Sequence, residues 1–183
     1  MDIYYLREMI YNNYQYIGRG QREVIKMGVL KRLEDYLEGN TVNYRKLHHS
    51  PAFTAQETAA SAHVPGKELA KTVVVRTDEG YALVVLPACF KINLKSLRNA
   101  MARKSVEIAE EKEFEKMFPD CEVGAMPPFG NLYSLPVYVA KALSDDEEIV
   151  FNAGTHTDMI RMSYRDFEKL VKPVIADFSE PMN

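Results

Sequence analysis

The hydrophobic positions of the chain fall into short runs of two periods. Residues 24–37 place Ile25, Val29, Leu33, Tyr36 and Leu37 at helical spacing, and the following EGN supplies a glycine for the C-cap, so the pattern predicts a helix. TVNYRKL (41–47) alternates and predicts a short strand. Thr54 followed three residues later by Glu57 is a capping-box signature. The hydroxyl accepts from a backbone N–H while the carboxylate reaches back to the cap, which predicts a helix to about His63, closed by Pro65 and Gly66. KTVVVR and YALVVL, separated by TDEG with Gly80 at the turn, predict a buried hairpin.

Further along, Asn93 is placed to cap a helix bearing Leu94, Leu97 and Met101. SVEIA predicts a strand, and EEKEFEKMF an acidic helix stopped by Pro119. LPVYVA and EIVFNAG predict two more strands. After MIRMSY, Ser163 with Asp166 forms a second capping box that opens the helix RDFEKLVK, ended by Pro173. Helices and strands interleave without a regular βαβ rhythm. The expected fold is therefore α+β, a single domain with one curved, barrel-like mixed sheet and helices packed on it. Residues 1–21, rich in tyrosine and asparagine and interrupted by Gly18 and Gly20, read as an N-terminal extension with no assigned structure, and the domain as residues 22–183.

One loop stands apart. GAMPPFG (124–130) lies between two apolar segments that read as strands, and its glycines and prolines would hold backbone N–H groups in one place. Such a loop serves a ligand cradle and a rigid connection equally well.

Composition narrows the function classes. A chain of 183 residues, 46% hydrophobic, suffices for one domain with a sizeable core. The 23 basic and 26 acidic residues give a net charge of -3, which argues against the broad basic face of a general DNA or RNA binder while allowing a local phosphate contact. Cys89 and Cys121 lack CxxC spacing, so neither a disulfide framework nor a thiolate zinc site is indicated, and a reducing cytoplasm fits. No apolar run approaches the roughly 20 residues of a membrane helix, and Asp2, Arg7 and Glu8 stand where a signal peptide needs an apolar core.

Candidate chemistry is sparse. Lys71 opens the strand KTVVV and would set a positive charge at a sheet edge, as a docking point for an anionic group or as a solvated strand end. His156, in NAGTHTD, follows a strand end on a turn with hydroxyls at Thr155 and Thr157, a position suited to a site and also to an ordinary polar turn. His48 and His49 are adjacent, hence on opposite sides of a strand, and with His63 and His156 they offer no metal-binding spacing. Cys89 reads as a small core residue. Cys121, between Asp120 and Glu122, is disfavoured as a thiolate, so a cysteine nucleophile is rejected. SDDEE (144–148) reads as a solvated turn. No G-x-S-x-G elbow, P-loop or GxGxxG motif is present.

Taken in order, HHSPAFTAQETAASAHVPGKELAKTVVV, VLPA, FPDCEVGAMPPFG and NAGTHTD resemble the YbaK/EbsC family of free-standing aminoacyl-tRNA deacylases, which is similar to the editing domain inserted in bacterial prolyl-tRNA synthetases. The resemblance runs from about Ile25 to about Val174. It implies catalytic roles for Lys71, Gly124 and His156, and substrate contacts from Thr72, Pro128, Gly130, Gly154 and Thr155, with no metal or cofactor. It further implies hydrolysis in trans of a small amino acid such as Ala or Ser from the acceptor end of mischarged tRNA, proline-type tRNA first, and the GTH at 154–156 leans away from cysteine specificity. A synthetase or an elongation factor is the implied delivery partner, with no role for DNA or a membrane. The alternative is a non-catalytic module that binds aminoacyl-tRNA or a small aminoacyl ligand.

Overall fold

The computed structural model describes residues 29–182 apart from Pro51 and Phe53. The expected extension at 1–21 and the first turn of the predicted 24–37 helix lie outside the described residues. Helix α1 (Val29–Gly39) buries Leu33 and Leu37 completely. Its end is set by backbone bonds that turn the chain, Asn40 N–H to Tyr36 O at 3.2 Å and Val42 N–H to Leu37 O at 3.1 Å, with Thr41 at φ +56°. That turn uses up the first residues of TVNYRKL, so strand β1 begins only at Tyr44 (Tyr44–His48).

Helix α2 (Ala55–Ser61) carries both halves of the expected capping box, Glu57 N–H to Thr54 Oγ1 at 3.2 Å and Thr54 N–H to Glu57 Oε2 at 3.1 Å. Strands β2 (Leu69–Thr77) and β3 (Gly80–Pro87) form the predicted hairpin, with eight paired positions from Ala70↔Pro87 to Thr77↔Gly80. Strand β4 (Phe90–Ile92) leads to helix α3 (Leu94–Ala100), where Asn93 Oδ1 accepts from Ser96 N–H at 3.0 Å. Leu97 and Met101 of its apolar stripe are buried, whereas Leu94 stays exposed. Strand β5 (Val106–Ile108) and helix α4 (Glu111–Phe114), extended by a 3-10 turn at Glu115–Met117, follow as expected. After the loop come β6 (Val137–Ala140), α5 (Lys141–Ser144), β7 (Glu148–Asn152), β8 (Asp158–Ser163), α6 (Tyr164–Val171), β9 (Val174–Ala176) and β10 (Ser179–Pro181). Ser163 Oγ caps α6 by accepting from Asp166 N–H at 3.4 Å.

These elements make a mixed α+β domain. The large sheet runs β1-β8-β7-β2-β3-β6-β9, with β5 paired to the far end of β2, and β4 pairs with β10 in a separate ribbon. β2 is the hub. It is antiparallel to β3 and β5 and parallel to β7 through Leu69↔Val150 and Ala70↔Phe151. One face of the sheet buries Val74, Leu83, Val85, Ile149, Phe151 and Ile160 against α1 and α6; the other buries Val75, Val84 and Leu86 against Leu97 and Phe178. Burial on both faces explains why the hairpin strands are continuous aliphatic runs rather than alternating ones.

Two readings of the chain change here. The segment before GAMPPFG is a series of turns, not a strand: Cys121 N–H reaches back to Phe118 O at 3.0 Å just after Pro119, which has no N–H for a ladder. Cys89 is half-buried at the end of β3 rather than enclosed in the core. The loop itself is pinned from below. Phe129 is fully buried, with its ring 5.5 Å from Phe151, 5.6 Å from Phe167 and 6.1 Å from Tyr36. Arg32 of α1 stacks 4.5 Å over Tyr133 and meets Asp120 at 3.4 Å, tying the helix to both flanks of the loop.

Gly130 sits where a Cβ would approach Leu135 O to 2.4 Å and Val137 Cγ2 to 2.6 Å. Gly130→Ala should therefore cost about 1–3 kcal/mol of stability, the usual range for overpacking, and lower the urea midpoint. Gly39→Ala, whose Cβ meets nothing within 4 Å, should leave the midpoint essentially unchanged.

Candidate active site

Two loops that are distant in sequence are joined by hydrogen bonds at one end of the sheet. Glu122 N–H donates to Gly154 O at 2.8 Å, and Gly154 N–H to Ala125 O at 2.9 Å. Glu122 Oε2 accepts from His156 N–H at 2.7 Å, and His156 Nε2 meets Val123 O at 3.0 Å. A carbonyl only accepts, so Nε2 carries a proton and donates to it. The positive φ of Gly124 (+88°) and Gly154 (+100°) lets both loops turn tightly enough to meet. A third segment joins them, because His49 N–H donates to Thr157 O at 3.0 Å and Ala52 N–H to His156 O at 3.4 Å, which brings the start of α2 over the same spot.

The result is a narrow cleft of about 40 Å³, lined by Lys71, Thr72, Gly124, Met126, Asn152 and His156, with Thr54 and Thr58 on the α2 side. At roughly 10–15 Å³ per enclosed water, it has room for about three or four water molecules or a small side chain. Lys71, Thr72, Gly124 and His156, four of the expected site residues, meet there. Pro128 and Gly130 are buried in the far half of the loop and do not line the cleft. Gly154 is buried as a backbone hinge. Thr155 organises the turn: its hydroxyl donates to Asp158 Oδ2 at 2.6 Å and accepts from Asp158 N–H at 2.9 Å. Asp158 is held below the ordinary carboxylate range, first by the Thr155 hydroxyl and then by His48, whose Nδ1 lies 3.0 Å from Oδ1.

Lys71 is the main charge of the cleft. Half-burial lowers its pKa from the usual lysine value, and its Nζ has one long contact, to Ala88 O at 3.3 Å. Among the described residues no carboxylate reaches it. The N–H of Gly124 is nearly as poorly held, with the thioether of Met126 at 3.3 Å as its acceptor, and a thioether sulfur accepts weakly. Lys71 and Gly124 thus bring a cation and a weakly engaged amide donor to the lining of one small space, an arrangement suited to polarising a carbonyl and receiving an oxyanion. Cys121 takes no part. Burial pushes its thiol up to about 11, and its Sγ lies 3.2 Å from Tyr133 OH at the base of the loop.

The sequence reading missed Thr54, Thr58, Asn152, Met126 and the bridging role of Glu122. Thr54 was legible as a cap, but nothing local to it points toward Lys71. Asn152 reaches the cleft because β7 pairs in parallel with β2, so that the register Leu69↔Val150 and Ala70↔Phe151 carries on to set Asn152 beside Lys71 on the same face.

Two outcomes follow. Gly124→Ala forces a side chain into the left-handed region with its Cβ 3.5 Å from the His156 ring. It should lower kcat and, through about 1–2 kcal/mol of backbone strain, also lower the thermal midpoint by a few degrees, to be checked by single-turnover kinetics below that midpoint beside a melting curve. Asp158, with its depressed folded pKa, contributes stability that is complete above the unfolded value near 3.8 and is lost as pH falls through the lower folded value. Asp158→Asn should therefore flatten the acid limb of a stability–pH profile below about pH 4.

The family profile described as "Aminoacyl-tRNA editing domain" matches residues 49–170, a span that contains every residue of the cleft. No curated protein matches the chain. Among solved structures, a hypothetical protein, APE2540, superposes with a TM-score of 0.74 at 24% identity, covering 81% of this chain and 99% of that one. A protein from work on scaffolds for presenting linear epitopes gives 0.71 at 19% identity, covering 84% and 98%. A candidate trans-editing enzyme for prolyl-tRNA synthetase gives 0.70 at 21% identity, covering 83% and 97%. At these identities the structural likeness establishes the shared fold, while the family profile spans two thirds of the chain. The chain belongs to the aminoacyl-tRNA editing domain family of aminoacyl-tRNA hydrolases.

Proposed function

We propose that the protein clears a small amino acid, Ala or Ser, from mischarged tRNA of the proline type, acting in trans through the Lys71–Gly124–His156 cleft. The observation that carries this is the half-buried Lys71, without a carboxylate partner among the described residues, lining one small cleft with Gly124, whose N–H is weakly held. The small volume of the cleft supports a small side chain, and the likeness to a candidate trans-editing enzyme for prolyl-tRNA synthetase supports the choice of tRNA.

In this reading a water oxygen adds to the ester carbonyl carbon, and the carbonyl oxygen becomes an oxyanion that accepts from Gly124 N–H and from Lys71. The bond from that carbon to the ribose oxygen then breaks. The proton lost by the water ends on the ribose oxygen, leaving a free amino acid and an intact tRNA terminus. An aminoacyl ester is activated, so oriented water and oxyanion donors suffice without a protein nucleophile. His156, its ring fixed through Nε2–H to Val123 O, lines the space and orients the water. Selection follows size: a synthetase site built for a larger side chain cannot strongly reject a smaller one, whereas a compact cleft admits the smaller and excludes the larger. With a net charge of -3 the protein contacts few phosphates itself, and delivery by a synthetase or elongation factor is consistent with that.

The test is hydrolysis by purified protein of alanyl-, seryl- and cysteinyl-tRNA of the proline, alanine and cysteine types. Turnover of alanyl- or seryl-tRNA of the proline type above the spontaneous rate is expected; none across the panel would sink the reading. Lys71→Ala should lose about a hundredfold or more in rate, in line with the loss of one oxyanion-stabilising group, while its melting curve stays close to that of the native protein. Unchanged turnover would remove Lys71 from the site.

A further inference from the structure

Asn152 lines the cleft, and its Oδ1 is buried with no hydrogen-bond partner among the described residues. A buried carbonyl oxygen without a donor is costly, which points to a donor brought by the ligand. Thr72 Oγ1, also on the cleft, is likewise unpartnered among the described residues, but a hydroxyl can donate as well as accept, whereas Asn152 Oδ1 only accepts and its side chain shares the face of Lys71. The two neighbours divide the cleft between them. β2 lies between β3 and β7; the Lys71 ammonium donates to Ala88 O, just past the end of β3, while Asn152 ends β7 on the other flank of β2. The β3 side thus offers positive charge, and the β7 side offers an acceptor.

An aminoacyl ester has matching polarity. Its carbonyl accepts, and the α-ammonium, two bonds from the carbonyl carbon, only donates. With the carbonyl at Lys71 and Gly124, the ammonium points toward the β7 side, where it also lies farther from the like charge of Lys71. We propose that Asn152 Oδ1 accepts from the free α-ammonium group of the aminoacyl ester and so restricts the protein to esters of unblocked amino acids. This assignment rests on the deacylase reading above.

The test uses whichever aminoacyl-tRNA of the panel is hydrolysed fastest. Nitrous acid converts part of it to the hydroxyacyl ester, in which a hydroxyl replaces the ammonium without added bulk, and each enzymatic rate is divided by the spontaneous rate of the same ester. The native protein should favour the aminoacyl ester by about tenfold or more, as a site loses a substrate lacking its charged hydrogen-bonding group. Asn152→Leu should bring the ratio to within about twofold by losing aminoacyl turnover alone, whereas Asn152→Asp, which keeps an acceptor there, should preserve the preference. Melting curves establish that both variants fold.

Equal normalised rates in the native protein would overturn the assignment. So would an Asn152→Leu variant that slows both esters equally, the result expected if Asn152 holds a ribose hydroxyl or merely supports the strand. Absence of any hydrolysis across the panel would instead remove the deacylase reading and this assignment with it.

Discussion

The burial of Phe129 is the constraint on which the site depends. A loop of small residues and prolines at a sheet end would have little of its own to hold it, since its backbone makes few ladder bonds. Here the side chain of its penultimate residue is driven between Tyr36, Phe151 and Phe167, so α1, β7 and α6 all fix the loop's height above the sheet. A buried phenylalanine of this kind is worth about 3–5 kcal/mol against truncation. Gly130 completes the anchor by letting the backbone pass Leu135 and Val137 where no Cβ fits. The glycines and prolines at the two ends of the loop thus divide the labour, the far end seating it and the near end facing the cleft.

Stability seated in the core reaches the chemistry through a short hydrogen-bond relay. Once the 124–130 loop is held, the bonds of Glu122, Val123 and Ala125 to Gly154 and His156 carry that position to the second loop. The His156 ring is oriented by a backbone carbonyl, and the turn beneath it by the Thr155–Asp158 pair. Donors aimed before the substrate arrives need no reorganisation when charge develops, which is how a site without a strong nucleophile can act on an activated ester.

Much of the fold was legible because its signals are local. The capping hydroxyl of Thr54, the capping amide oxygen of Asn93 and the β2–β3 hairpin each depend on residues a few positions apart, and each forms as read. The strand at Asp158–Ser163 escaped because Met159 and Ile160 are both buried and Arg161 interrupts the run, leaving no clean alternation. The ribbon strand Ser179–Pro181 is polar and ends in proline, so only its pairing with Phe90–Ile92 identifies it. Among the site residues, Lys71, Gly124 and His156 could be named from ordered motifs, but those motifs could not separate residues facing the cleft from Pro128, Gly130 and Thr155, which serve packing and the turn.

By itself the sequence determined the local conformations: which hydroxyls cap helices, where the hairpin turns, and that a stiff glycine-bounded loop precedes a Gly-Thr-His turn. These follow from backbone sterics and hydrogen bonds acting across three or four residues. Only the tertiary structure decided which side chains meet. Asn152 stands beside Lys71 through a parallel pairing between strands about eighty residues apart, and that register is set by the need to bury both faces of β2 and β7 at once. No local rule carries such information, because the free energy that selects the register comes from apolar surface contributed by the whole sheet and the helices packed on it.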